Sequence, residues 1–329
     1  MITKNRSFML VLLFAAVAMG SFERAAAQVY PSHPIKIVVP YPAGGVSDVL
    51  MRVIAERMRQ SLGQPVIIEN VTGAAGNIGV GRVARAGPDG YTLVQGNWST
   101  HVANGAVYPL QYDLLKDFAP VGLIATNPIL IAAKKGIPVD TLRDLIVWLK
   151  ANPGKASQGT NGFGSIMHLA GLFFQKETGT RFAFVPYRGG PATMNDLLSG
   201  NIDLYLGPAG EILTQQRAGG VKVFAVMAKG RIASAPDIPS VDEAGAAGLY
   251  VSAWWGLWAP KDTPKEVIAK LNAAIVDALA DPVVRTQLAK FELDIPPREQ
   301  QSPEMLGAFQ KAEIDKWWPI IKEAGIKPE

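Results

Sequence analysis

The chain has 329 residues, of which 48% are hydrophobic and 18% charged, and its formal net charge is +4. This length predicts about two domains with a core large enough to fold without disulfides or metals. The absence of cysteine excludes disulfides, thiol nucleophiles and cysteine-ligated zinc. The three histidines lie far apart, and the Lys and Arg residues form no run of five. We therefore expect no metal, no cofactor and no nucleic-acid partner.

Residues 1–27 have the pattern of a secretory signal peptide. Lys4 and Arg6 form the charged start, residues 8–20 are continuously apolar, and residues 25–27 are alanines that precede a cleavage site near Gln28. The apolar stretch is shorter than the roughly 20 residues that span a membrane. An N-terminal anchor helix is the alternative, but no cysteine follows that could carry a lipid. The pattern predicts a mature protein in a bacterial periplasm.

After the signal, strand and helix patterns alternate. Short β-branched runs predict strands over 35–39, 66–69 and 91–94, with helices over 47–62 and 77–86 between them. Glycine at position 63 and the Gly-Pro-Asp-Gly turn at 87–90 mark element ends. Strands that alternate with helices predict right-handed crossovers and a largely parallel sheet.

The same alternation restarts at a strand over 129–133. Further helices are predicted over 141–151, 166–178 and 191–199, further strands over 182–185, 202–206, 221–227 and 254–259, and a glycine-rich loop over 158–165. Three helices, over 264–279, 281–291 and 303–324, end the chain without a sheet of their own. We therefore predict two α/β lobes, 28–127 plus 254–329 and 128–253. A ligand cleft lies between them, and two hinge strands join them.

Three glycine-rich loops each follow a predicted strand and precede a helix, at 41–45, 159–165 and 187–192. Ligands bind at such strand ends in open α/β sheets. Glycine lets the backbone approach a ligand closely, and the free N–H groups of the following helix favour an anion. Hydroxyls of Ser47, Thr160 and Ser165 can add donors, and Arg188 can add a bidentate one. The loops indicate an anion-binding cleft.

Each candidate also has a purely structural interpretation. The glycines of one loop can simply make a tight turn, Asp48 can cap a helix, Arg188 can form an ion pair, and His168 can pack in the core. Trp98 lies in the polar segment 96–101 and is the better candidate for stacking on a ligand, whereas the other aromatic residues near the second hinge fit core packing: Trp254, Trp255 and Trp258.

Enzymatic motifs fit less well. Residues 79–84 match G-x-G-x-x-A but do not directly follow a strand, which a dinucleotide site requires. Ser165 and His168 lie three residues apart at a helix start and can share a hydrogen bond, so a secreted serine hydrolase is an alternative. No acid that would orient the histidine is identifiable, and no G-x-S-x-G elbow occurs.

A set of colinear motifs spans essentially the whole mature chain. They include Pro40-Tyr41-Pro42-Ala43-Gly44-Gly45 with Asp48, Pro88-Asp89-Gly90-Tyr91-Thr92-Leu93, Gly162-x-Gly164-Ser165-x-x-His168, Pro186-Tyr187-Arg188-Gly189 and Trp255-Gly256-Leu257. In these motifs the chain resembles the tripartite tricarboxylate transporter solute receptors, the Bug or TctC family. The resemblance implies a two-lobe, type II periplasmic binding fold that closes on a small carboxylate and delivers it to inner-membrane permease subunits.

The resemblance also implies two pincer loops, 41–45 and 159–165, that hold a ligand carboxylate. We expect a monomer without enzymatic activity. The expected ligand-binding residues are Tyr41, Ala43, Gly44, Gly45, Asp48, Trp98, Ser99, Thr100, Gly159, Thr160, Asn161, Gly162, Phe163, Gly164, Ser165, His168, Arg188 and Gly207.

One departure from the family pattern bears on the ligand. Many relatives carry an acidic residue where this chain reads Tyr205-Leu206-Gly207-Pro208-Ala209-Gly210. Without that counter-charge we expect a ligand that lacks an amine, either a dicarboxylate or an aromatic carboxylate. A ligand-sensing adaptor for a sensor kinase remains an alternative, because it would use the same cleft.

Overall fold

A computed structural model describes residues 30–162, 164–187, 189–232 and 235–327. The predicted signal peptide and the candidates Phe163 and Arg188 lie outside these ranges. Within them, no helix is both long and apolar enough to cross a membrane.

The first part of the chain forms three parallel strands in the order β2-β1-β3. Strands and connecting helices alternate as predicted: β1 (Ile35–Val39), α1 (Val46–Leu62), β2 (Val66–Asn70), α2 (Asn77–Ala84) and β3 (Thr92–Asn97). Gly63 ends α1 in the left-handed conformation with φ +69°, as expected for a glycine stop. After β3 the chain passes into a π-helical turn, Ser99–Ala103, and the short helix α3 (Asn104–Val107).

Two long strands join the two lobes. Strand β4 (Phe118–Lys134) runs antiparallel to β9 (Ser252–Pro260), which in turn pairs with β3. The predicted strand at 129–133 is only the second half of β4. The first half contains Pro120 and Gly122, which count against a strand in sequence; here they lie beside a register shift between β4 and β9. The predicted lobe boundaries fall within β4 and β9, and this division stays a prediction.

The second half of β4 carries the second lobe. It pairs with β7 and β8, and β7 continues through β5 to β6. The elements are α4 (Leu142–Ala151), β5 (Ser157–Thr160), α5 (Ile166–Thr178), β6 (Ala183–Pro186), α6 (Gly190–Ser199), β7 (Leu204–Pro208), α7 (Ala209–Arg217) and β8 (Val221–Val226). The loop predicted at 158–165 is wrong in its first three residues, which lie in β5. The sequence did not indicate this strand because it contains the polar residues Gln158 and Thr160, which the fold buries fully.

The final helices pack beside the first part of the chain. They are α8 (Lys265–Ala280), α9 (Pro282–Ala289) and α10 (Pro303–Glu323). Apolar residues of α8 and α9 share a core with α1 and β1. Helix α10 packs against β4 and the π-helical turn, and it also reaches the second lobe, where Trp317 lies 5.6 Å from the ring of Phe173.

Candidate functional site

The candidate site lies where strand ends of both lobes meet. Residues 97–99, at the end of β3 and just beyond it, face Ile166 at the start of α5. Residues 253–255 of β9 lie between them, and we call these residues the cleft floor. These residues line a cavity of about 40 Å³. This is little more than the roughly 30 Å³ that one water molecule occupies in the liquid. The lobes are therefore close together at this point.

The loop after β1 exposes its backbone. Residues 42–46 are exposed, and Gly44 has φ +84° with no atom within 4 Å of where a Cβ would lie. Glycine is required here by conformation and not by crowding. Gly45 is the N-cap of α1 without any side-chain cap, so Asp48 does not have the capping position that the sequence suggested.

Asp48 holds this loop from behind. Its side chain is 2% exposed and accepts hydrogen bonds from Gly44 N at 2.9 Å, Arg52 Nε at 3.0 Å and Asn70 Nδ2 at 3.0 Å. Burial alone would raise the pKa of Asp48, but these donors hold it below its usual value. Because the Asp48 carboxylate accepts from the loop, from α1 and from β2, it fixes the position of Gly44; whether it also contacts a ligand stays a prediction.

The end of β3 completes the first wall. Tyr41 Oη donates to Asn97 Oδ1 at 2.9 Å, and the same oxygen accepts from Thr100 N at 3.1 Å. Burial raises the pKa of Tyr41 to about 12, so its hydroxyl stays protonated. Asn97 was not among the expected residues, although its position at a strand end was a usable signal. Ser99 is exposed at the start of the π-helical turn, a feature that is frequent at functional sites.

On the second wall, Ser165 and His168 both bind the backbone of the loop that precedes α5. Ser165 Oγ donates to Gly162 O at 2.7 Å and caps α5 by accepting from His168 N at 3.3 Å. His168 Nδ1 accepts from Gly164 N at 3.1 Å. Burial lowers the pKa of His168 to about 4, so the ring is a neutral acceptor. Both side chains are thus engaged by the backbone of this loop, which counts against the serine hydrolase alternative.

The rest of this wall divides into open and packed positions. Gly162 has φ +96° with no atom within 4 Å of a Cβ position, as at Gly44. The Oγ1 of Thr160 is buried and has no hydrogen-bond partner among the described residues. By contrast, Gly159 and Gly207 make room for core side chains, since a Cβ on either would lie 2.4 Å from Thr193 or Tyr205. These two glycines have packing roles.

The first turn of α7 contributes a carboxylate that sequence reasoning missed. Tyr205 Oη donates to Glu211 Oε2 at 2.6 Å, and this carboxylate packs directly against Gly190 at the start of α6. Burial and the charge of Glu211 raise the pKa of Tyr205. An acidic group therefore does lie beside Tyr205 of β7, and it comes from the next helix.

The tryptophans of the floor pack as core residues. Trp98 is 2% exposed and lies edge-on to Trp317 with ring centroids 5.4 Å apart, so it does not offer the stacking face expected of it. The reason is that β3 runs directly into the helical turn, without the loop predicted at 96–101. Trp254 and Trp255, assigned to core packing, also line the cavity. Trp255 Nε1 donates to Ser47 Oγ at 2.9 Å and ties the floor to α1.

The fold and the walls described above define a two-lobe binding protein, and comparisons with known proteins identify its family. Residues 50–326 match the family described as tripartite tricarboxylate transporter family receptor, and the chain belongs to this family. It is 39% identical over 323 residues to the UPF0065 protein in the TAR-I ttuE-ttuC' intergenic region of Agrobacterium vitis, which covers 98% of this chain and 92% of that protein.

Solved structures agree. MatC from Rhodopseudomonas palustris with bound malate is 35% identical with a TM-score of 0.69, covering 89% of this chain and 100% of that one. Rpa4515 of R. palustris with adipate is 32% identical with a TM-score of 0.71, covering 91% and 100%. The periplasmic binding protein BugD is 35% identical with a TM-score of 0.67, covering 91% and 100%. The chain is therefore a solute-binding receptor with a type II periplasmic binding fold, and its family is one of binding proteins, not enzymes.

Proposed function

We propose that this receptor works in the periplasm, captures a small dicarboxylate or aromatic carboxylate between its lobes, and delivers it to a tripartite tricarboxylate-type permease. The observation that carries the proposal is the pair of open glycines, Gly44 and Gly162, one on each wall. Both have a backbone conformation that favours glycine, and neither is crowded. Backbone N–H groups beside them can reach a carboxylate, and bonds to a charged acceptor contribute about 1.5–3 kcal/mol each.

Capture depends on lobe closure about β4 and β9. The cavity of about 40 Å³ between the end of β3 and the start of α5 is smaller than a ligand such as malate, and we propose that the lobes separate to admit one. A ligand that contacts both walls binds the closed form more tightly and shifts the population towards it. A receptor of this kind needs no partner copy, and we propose a monomer.

The two walls differ in charge, and this favours a ligand class. The first wall offers Tyr41 and the start of the π-helical turn, while the second carries the Glu211 carboxylate beside Tyr205. A second ligand carboxylate would be repelled if it approached Glu211 directly. We propose that the ligand places its carboxylates at the glycine loops and turns a hydroxyl or another donor towards Glu211. The structures of two relatives, one with malate and one with adipate, support a dicarboxylate of about that size as the ligand.

A thermal-shift screen tests capture. Residues 28–329 are unfolded and refolded to remove any bound solute, then heated with malate, adipate, aromatic dicarboxylates and amino acids. A ligand at 100 times its Kd should stabilise the protein by about 2.7 kcal/mol. A selective shift with one class of carboxylate is expected, and a flat response to the whole panel in folded protein contradicts the proposal.

Delivery to a permease needs a separate test, because a sensor-kinase adaptor would show the same binding. We expect deletion of the gene to abolish cellular uptake of the labelled ligand. Unchanged uptake together with a lost transcriptional response would instead favour the sensing adaptor.

A further inference from the structure

Three indole groups surround one carboxylate beneath the cleft floor. Glu313 Oε2, on α10, accepts from Trp317 Nε1 at 3.1 Å and from Trp254 Nε1 at 3.4 Å. Trp98 Nε1 is buried without a hydrogen-bond partner among the described residues, and its ring packs edge-on against Trp317 with centroids 5.4 Å apart. Burial raises the pKa of Glu313, and the charge of Lys316 and the three indoles oppose that rise. The carboxylate is thus held by two indole N–H donors, and the third indole packs against one of them.

Two of these indoles belong to the candidate site. Trp98 and Trp254 line the cleft cavity, whereas Glu313 lines a separate groove of about 650 Å³ next to the hinge. None of the loops at 41–45, 97–100 or 159–165 lines that groove. Glu313 therefore lies between the cleft floor and the hinge, touches the floor from below, and has no part in the walls that face a ligand.

Lys316 extends the cluster to the second lobe. Its Nζ lies 4.5 Å from the ring centroid of Phe173 on α5 and 4.7 Å from that of Trp317, and it donates to the carbonyl of Tyr250 just before β9. A cation over aromatic faces contributes more when it is desolvated, as this partly buried lysine is. One turn of α10 thus binds the floor through Glu313, and α5 and the hinge through Lys316.

We propose that Glu313 is a positioning residue for ligand capture, which fixes Trp98 and Trp254 in the cleft floor, and that Lys316 couples this floor to closure of the second lobe. This inference rests on the proposed function, because it assigns the geometry of the same cleft. Side chains that must hold one orientation to bind gain affinity from such support. Loss of the support lets the indoles change rotamer, and the closed form then releases its ligand faster.

Glu313→Gln and Lys316→Met test the proposal. Glu313→Gln keeps one oxygen acceptor and the side-chain shape but removes the charge. We expect Kd for a ligand of the wild-type protein to rise about tenfold, mainly through a faster off-rate, and the tryptophan emission of the unbound protein to shift. Lys316→Met should raise the off-rate; because Lys316 Nζ lies over the Trp317 ring, emission is compared only between wild type and the glutamate variants. The matched controls on the same helix are the exposed Glu304→Gln and Lys311→Met.

Ligand binding by the wild-type protein tests the proposed function, whereas the emission and off-rates of the variants test the roles of Glu313 and Lys316. Wild-type protein that binds no carboxylate overturns the proposed function. If the tryptophan emission of Glu313→Gln equals that of wild type and of Glu304→Gln, the positioning role of Glu313 is overturned, whether or not a ligand has been found. A Lys316→Met off-rate within twofold of wild type overturns the coupling to the second lobe, and this variant carries the test if Glu313→Gln does not fold.

Discussion

Replacement of Asp48 by asparagine tests whether this residue buttresses the first loop. The carboxylate accepts from Gly44 N and Asn70 Nδ2, and from Arg52, whose side chain is half exposed and can return to water. The asparagine oxygen can keep one of the two inner bonds. One bond to a charged acceptor, about 1.5–3 kcal/mol, is therefore lost. For a chain of this size we expect the Tm at pH 7 to fall by about 3–6 °C. The affinity for ligand should fall with it, because Gly44 is no longer held in place.

The pH dependence provides the sharper result. The pKa of Asp48 is lower in the folded protein than its usual 3.8. A lowered carboxyl pKa stabilises the fold fully above the unfolded value, and this stabilisation is lost as pH falls through the folded value. The Tm difference between wild type and Asp48→Asn should therefore be largest at pH 7 and shrink below pH 3.8. The exposed Asp237→Asn is the control and should match wild type throughout. A difference that is absent at pH 7, or equal at pH 7 and pH 3, refutes the buttress.

Three further predictions concern the second wall. Gly162→Ala should abolish binding, whereas Gly154→Ala, also at positive φ in open space, should destabilise the fold by a similar amount of about 1 kcal/mol and bind normally; equal affinities in calorimetry would contradict a role in the cleft. Glu211→Gln should improve binding of longer dicarboxylates relative to malate, since it removes a negative charge beside Tyr205; an unchanged order of affinities would exclude Glu211 from selectivity. Thr160→Val should leave the Tm unchanged or higher, because it removes a buried hydroxyl without a described partner. It should weaken ligand binding, and unchanged affinity would show that this hydroxyl does not face the ligand.

Much of the fold follows from local sequence signals. Apolar periodicity and glycine stops predict α1 and α5 to within one residue, because each helix buries one face and ends at a glycine in the left-handed conformation. The signals fail in β4 and β5. Pro120 is tolerated in β4 because the pairing with β9 is irregular there, and the polar residues of β5 are buried by neighbours distant in sequence. Neither cause is visible in a short sequence window.

The loops of the candidate site could be predicted from the sequence, but the contacts that their side chains make could not. The glycine loops after β1 and β5 were identified because strand ends and glycines are visible in sequence. The roles of Asp48 and Trp98 were not, since each depends on partners that only the fold brings near. Glu211 was missed because it reaches the end of β7 from the following helix, and Trp254 because β9 enters the floor only through its pairing with β3 and β4.

Three polar residues that the sequence singles out for the candidate site form hydrogen bonds within their own loops. Asp48, Ser165 and His168 each bind the backbone of their own loop, so what these loops present to the cleft is main chain. Main-chain N–H groups bind any carboxylate alike. Changes to these three side chains should therefore weaken all ligands by similar factors, through the shape of the loops. Discrimination between ligands is therefore expected from groups that differ in charge or bulk, and we propose Glu211, which lies beside Tyr205 and the start of α6, as one of them.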